Sequence, residues 1–263
     1  MPEIAASSSA APASGPVERQ PVRLLADAAL NSRPAALVFR IVAFAVILLG
    51  VLRNAEVFSG RPDGSTLLYY TMVSDLICLG WMLLLVVRTV RDMRQHGAVG
   101  TSTPSARWSG AVMMAITVTM LIYLVVLVPT RVAAGDDDIF SLTDTLIHVV
   151  TPTLLILDWL LFVPKGSFRW VDPVLWTLIP YAYLTWAFVY GALGGEFSAG
   201  QTYPYPFMDV DALGLGGVGT WIVALTVALI AVGFVYVVVD RGLAVLARRT
   251  QRPQRAQRPQ PVS

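Results

Sequence analysis

The sequence predicts an all-α membrane protein of six transmembrane helices with both termini in the cytoplasm. Two observations predict the fold class and a third the orientation. The chain of 263 residues is 56% hydrophobic and only 14% charged, where a soluble domain carries about 25% charged residues. Its apolar residues gather into six runs close to the length of about 20 residues that crosses a bilayer. Its basic residues cluster in alternate segments between those runs.

The elements follow in order. Residues 1–34, rich in Ala, Ser and Pro (SSSAAPASGP), read as a disordered tail. No apolar stretch follows a basic start there, so the tail is not a cleaved signal peptide. The spans are expected at 35–51, 67–90, 109–130, 141–163, 173–191 and 218–239, within a transmembrane domain of residues 35–240. Residues 241–263, ending RRTQRPQRAQRPQPVS, read as a disordered Arg-rich tail whose prolines stop the last helix. No repeat of solenoid period is visible.

Arginine and lysine in the loops set the orientation. With the N-terminus inside, the inner segments hold fifteen of the nineteen basic residues, the outer segments hold Arg53, Arg61 and Arg131, and Arg40 lies within the first span. The outer loops are acidic, with Asp136–Asp137–Asp138 in one and Glu196, Asp209 and Asp211 in another. The aspartate run lacks a recognised ligand spacing and reads as a solvated turn. The basic tail suits anionic lipid headgroups.

Composition also limits function. The charge deficit excludes an ordinary soluble enzyme and a nucleic-acid binder. The single Cys78 excludes an internal disulfide and a CxxC pair. Two histidines, one in a polar stretch, exclude a pair of axial haem ligands within the membrane. No cofactor and no metal is expected; membrane lipids and a lipid-like small molecule are the expected partners.

Ionisable groups inside the spans are costly and usually face the bundle interior. Five qualify: Arg40, Asp75, Asp144, His148 and Asp158. The second span opens LLYYTMVSDLICLGW, which puts Thr71, Ser74, Asp75 and Cys78 on one helical stripe. The fourth reads SLTDTLIHVVTPTLLILDWLLF, where Asp144, His148, Thr151 and Asp158 fall within a sector of roughly 80°. Pro152 predicts a kink four residues after His148. Thr71 lies roughly 7 Å and His148 roughly 10 Å below the outer starts of their spans. A hydroxyl and an imidazole at similar depth can meet, the base activating the nucleophile, with Asp144 or Asp75 orienting the ring. The plainer alternative stays open: Ser and Thr often bond to helix backbones, and Asp144 suits a first helical turn. Arg40 and Asp158 lie near the inner boundary, where pairing competes with snorkelling of Arg40, and Trp159 suits an aromatic belt. The outer loop GGEFSAGQTYPYPFMDVDALGLGG reads as an extended lid over the bundle mouth. Tyr203, Tyr205 and Asp209 within it, and Ser74 on the second-span stripe, are the candidate substrate-binding residues.

The segments YYTMVSDL, DTLIHVVTPTLLILDWLLF and YPYPFMDVDALG, with six spans and both ends inside, resemble the prokaryotic six-span proteins related to the androgen-induced and androgen-dependent membrane hydrolases. The resemblance covers roughly residues 35–240. It implies an intramembrane threonine nucleophile at Thr71 and a histidine at His148, cleaving fatty-acid esters of hydroxy fatty acids. Asp75 departs from it, since an asparagine is expected near that position. The leading expectation is thus an intramembrane threonine hydrolase of lipid-like esters. A proton-coupled carrier or channel using Asp75, Asp144, His148 and Asp158 is the alternative, and a non-catalytic scaffold or sensor a third. Arginine in place of lysine and an alanine-rich chain suggest a bacterial plasma membrane.

Overall fold

The computed structural model describes residues 28–136 and 138–256. Among them all regular elements are helical, and six helices are long and apolar enough to cross a membrane. They are α1 (Arg33–Asn54), α2 (Tyr70–His96), α3 (Ala106–Ala133), α4 (Leu142–Phe162), α5 (Asp172–Ala192) and α6 (Val210–Ala256). This is the architecture of a multi-pass membrane protein.

Local chemistry starts the helices where they start. Ser32, Ser105 and Ser141 accept backbone N–H groups at the first turns of α1, α3 and α4, satisfying donors that no helical carbonyl can reach. Pro34 and Pro173 sit where a missing N–H costs nothing. Asp209 Oδ1 accepts from the N–H groups of Asp211 and Ala212, both at 2.9 Å, and caps α6.

Successive helices alternate in direction. The starts of α1, α3 and α5 share a basic end with the loop after α4. The segments 55–69, 134–136, 138–141 and 193–209 lie at the other, acidic end. α3 is central, with all of Ser109 through Thr119 buried; it packs on α2 and α4, and α1 closes the group against both. α6 is peripheral: 17% of its most apolar stretch is buried, against 56% for α3.

Most boundaries shift by a few residues from the sequence reading, α2 for example running to His96, and three of the shifts have a physical reason. The expected N-terminal tail (1–34) ends earlier, because Leu30 N–H donates to the Leu161 carbonyl and Arg33 is buried against the α2–α3 loop, donating to the carbonyls of Gly97 and Val99, each at 2.7 Å. α6 begins at Val210, not 218, because Gly214 takes φ +65 and lets helix resume across the break. It also runs to Ala256, past the expected limit at 240, because Leu, Ala and Arg after Asp240 are good helix formers. The rest of the tails, residues 1–27 and 257–263, and Asp137 lie outside the described residues.

A charged network pins the basic end. Arg40 Nε donates to Asp158 Oδ1 at 2.8 Å, with both side chains at 1% exposure or less. Its other nitrogens donate to Thr89 Oγ1 (2.8 Å) and Thr103 Oγ1 (3.2 Å). α1, α2, α4 and the approach to α3 are thereby tied to one guanidinium, which does not snorkel. Trp159, expected at the membrane boundary, is instead 2% exposed and stacks on Phe168. The Lys165 ammonium lies 5.0 Å from its ring centroid and donates to the Val163 carbonyl. Burial pushes the Lys165 amine down to about 8, against the pull of Asp240 and Asp158.

Removing one partner of a buried pair strands the other charge. Arg40→Ala and Asp158→Ala are each expected to lower stability in detergent by about 3 kcal/mol. The double variant should lose clearly less than the sum. Additive losses in thermal unfolding would show that the two groups do not act as a pair.

Candidate active site

Two prolines shape the acidic half of the bundle. α4 carries a π-helical turn at Leu146–Val150, immediately before Pro152. α3 carries another at Tyr123–Leu127, immediately before Pro129. A π turn shifts each hydrogen bond by one residue: Thr151 N–H reaches Leu146 O, and Val128 N–H reaches Tyr123 O. Where a kink is expected at Pro152, the structure has this π turn. Gly50 on α1 lets the widened turn approach, since a Cβ there would sit 3.1 Å from Ile147.

The two π turns bring their aromatic rings together. Tyr123 and His148 stack with centroids 4.1 Å apart and planes 12° from parallel. Tyr123 is 1% exposed, and its hydroxyl donates to the Ile139 carbonyl. The stack covers one face of the imidazole and fixes its plane.

His148 then has one partner on each nitrogen. Nδ1 lies 3.1 Å from the backbone carbonyl of Asp144, and Nε2 lies 3.5 Å from Thr71 Oγ1 on α2. A carbonyl can only accept, so Nδ1 carries the hydrogen and Nε2 keeps its lone pair toward the threonine. That is the tautomer a general base needs. At 3.5 Å the pair is looser than a formed hydrogen bond, as nucleophile–base pairs often are before substrate arrives.

The other predicted residues fall elsewhere. The Asp144 carboxylate is not the nearest orienter of the ring: it lies 3.8 Å from Nδ1 and accepts instead from Arg131 (3.0 Å) and Ser141 (2.9 Å). Arg131 also binds Asp136 at 2.7 Å, and that guanidinium holds the Asp136 carboxyl below its usual range. Asp75 does not reach the imidazole, whose nitrogens are both engaged. It is fully buried a turn deeper, beside Thr151, and neither carboxylate oxygen has a geometrically formed hydrogen bond. Thr151 donates to Leu146 O. Ser74 is buried and committed to the bundle, donating to Thr71 O (2.9 Å) and bonding Thr119 Oγ1 at 2.8 Å. It is not exposed to a substrate. Asp209 caps α6 as described. Tyr203 packs against Phe188.

Tyr205 belongs to the site. Its extended backbone lays the Tyr-Pro segment over the start of α2, where the ring meets Tyr69 edge-on and stacks on Phe207. Its phenol lies next to the Thr71 hydroxyl. Burial pushes that phenol up to about 12, so it stays protonated near neutral pH; the Thr71 contacts act the other way.

Sequence reasoning missed Tyr123 and the second role of Arg131. Pro129, six residues after Tyr123, was the available signal. Among the described residues no group of three His, Cys, Asp or Glu side chains is placed to hold a metal ion. Comparison with protein-family models, with curated proteins and with solved structures found no match.

The Tyr123–His148 stack separates ring from hydroxyl. Tyr123→Phe is expected to cost about 1 kcal/mol of stability, for one hydrogen bond. Tyr123→Ala should cost about 3 kcal/mol or more, for the ring and its cavity. Equal losses in chemical unfolding in detergent would place the contribution in the hydroxyl alone.

Proposed function

We propose that the protein is an intramembrane hydrolase of lipid-like esters, with Thr71 as nucleophile and His148 as base. The observation that carries this reading is the imidazole held between a carbonyl on Nδ1 and the Thr71 hydroxyl on Nε2. Thr71 Oγ1 attacks the ester carbonyl carbon while His148 Nε2 takes its proton. The carbonyl oxygen becomes an oxyanion, for which the protonated Tyr205 phenol is the available donor. The imidazolium returns the proton to the departing alkoxide, leaving an acyl-threonine. Water then attacks the acyl group, His148 taking its proton and passing it back to Thr71 Oγ1, and a free carboxylic acid leaves.

The resemblance to six-span threonine hydrolases gives the same two residues independently, and it supplies the substrate class, fatty-acid esters of hydroxy fatty acids. By the loop-charge rule both termini face the cytoplasm and the site opens toward the outer leaflet, of a plasma membrane by the composition argument. Asp75 favours a second reading, a proton-coupled carrier, since a buried carboxyl without formed partners is the group such a relay needs.

Thr71→Ala and His148→Ala are each expected to abolish hydrolysis of a long-chain ester by purified, folded protein, with strongly non-additive losses. Thr71→Ser should keep part of the activity, and Tyr205→Phe should lower kcat by about 100-fold with little change in KM. Where a triad carboxylate fixes the tautomer, its amide variant loses about 10⁴ in kcat. Here a backbone carbonyl does so, and Asp144→Asn should lose less than about tenfold. Wild-type protein inert toward an ester panel and a fluorophosphonate probe would remove the hydrolase reading. Proton uptake into liposomes that Asp75→Asn abolishes would replace it with the carrier.

Orientation has its own check. Alkaline phosphatase fused after Ser263 should be inactive, and a green fluorescent protein there should fluoresce. The reverse pattern would put the Thr71–His148 pair in the other leaflet.

A further inference from the structure

α5 and α6 are joined at the basic end and part toward the acidic end. The junction is close: a Cβ on Gly233 would sit 2.7 Å from Pro173. Beyond it a narrow, mostly apolar cleft opens between the two helices. Thr177 and Leu184 on α5 face Leu229 and Ile222 on α6 across it, over roughly 10 Å of helix. Val118 and Ile122 of α3 form its floor, and Phe207 and Met208 flank its mouth.

Apart from the Tyr205 phenol at its upper end, the hydroxyls along this cleft are already taken. Thr177 donates to Val174 O, Thr226 to Ile222 O, Tyr183 to Leu68 O and Tyr70 to Ala115 O. Tyr181 and Thr226 bond each other at 2.6 Å. The remaining side-chain lining is hydrocarbon, so below Tyr205 a polar solute would find no free side-chain partner, whereas an alkyl chain needs none. Tyr70 and Tyr205 line the upper part, and they are the residue before the proposed nucleophile and the phenol beside it. The cleft thus reaches Tyr205, the neighbour of Thr71, at one end, and at the other ends at Thr177 and Leu229, one turn from the Pro173–Gly233 junction.

We propose that the cleft between α5 and α6 holds the acyl chain of the ester, with its carbonyl end at Thr71 and its methyl end toward the Pro173–Gly233 junction. This rests on the hydrolase reading for the identity of the ligand, and on the cleft alone for the hydrocarbon. The chain enters sideways from the bilayer, without crossing water.

The test uses full-length Thr71→Ala protein in phosphatidylcholine nanodiscs and a long-chain fatty ester bearing a diazirine near its methyl end. Photolabelling should map to residues 118–122, 177–184 and 222–229, and excess unlabelled long-chain ester should compete. Leu225→Trp and Leu184→Trp, each filling the cleft, should cut labelling by about tenfold. In the otherwise native protein they should raise KM for the long-chain ester and leave a butyrate ester unchanged. Label on other helices, or label that extra phosphatidylcholine displaces as well as the ester does, would overturn the proposal. The labelled peptide of the Thr71→Ala protein is decisive even if a tryptophan variant fails to fold. Labelling needs no turnover, so cleft labelling in a protein without esterase activity would leave the hydrocarbon site standing and remove only the hydrolase.

Discussion

A guanidinium among apolar helices holds its place only if its charge is met and its hydrogens are used. Arg40 meets both conditions by drawing on Asp158, Thr89 and Thr103, from α4, α2 and the approach to α3. The first four helices therefore cannot slide past one another without stranding a buried charge. This matters at the far end of α1, where Gly50 packs against the π turn of α4. The register set at Arg40 is the register in which Ile147 meets Gly50, and so the register in which the neighbouring His148 faces α2. The membrane interior makes helix association weakly driven by apolar surface; a few polar ties of this kind then decide which arrangement of equally greasy helices forms.

The proposed site, with His148 as its base, differs from a soluble triad in where its polarity comes from. Orientation of the base is done by a backbone carbonyl and a stacked phenol ring, neither of which carries a charge. The charged groups nearby, Arg131, Asp136 and Asp144, satisfy one another at the rim. An imidazole deep enough to be dry is thus held without burying an ion beside it. Asp75 is the exception below it, a buried carboxyl group neither of whose oxygens has a formed hydrogen bond.

Six spans were legible from hydropathy because each run is long and nearly uncharged, which no soluble helix tolerates. Arg40, Asp158, Thr71 and His148 were legible because an ionisable or hydroxylic side chain on an inward stripe stands out against apolar neighbours, and depth along the span relates one helix to another. What periodicity at 3.6 residues could not carry was the pair of π turns, since each adds a residue and resets the phase. Tyr123 went unseen for that reason, and Asp144 was assigned through its carboxylate when its main-chain oxygen makes the closer contact. Ser74 and Asp209 looked available in the sequence; a hydroxyl partner on another helix and the uncapped start of α6 had already claimed them. The early start of α6 was hidden by its glycines, which lower hydropathy and break the helix at Gly214 before it resumes.

A π turn holds one residue more than an α turn needs. Deleting Leu146, Ile147, Val149 or Val150 would let the segment close into ordinary helix and turn everything on one side of it by about 100° relative to the other. Asp158 is fixed to Arg40, so the rotation would fall on the half toward Ser141, moving Asp144 and its carbonyl away from Nδ1. The geometry around His148 is therefore written in the count of residues between two anchors as much as in their identity. Two chains of similar composition and identical polar residues, differing by a single gap in α4, would present different surfaces to Thr71. Insertions and deletions, usually tolerated in loops, are here the changes to which a helix interior is least indifferent, and distant relatives can be sorted by whether they keep the extra residue.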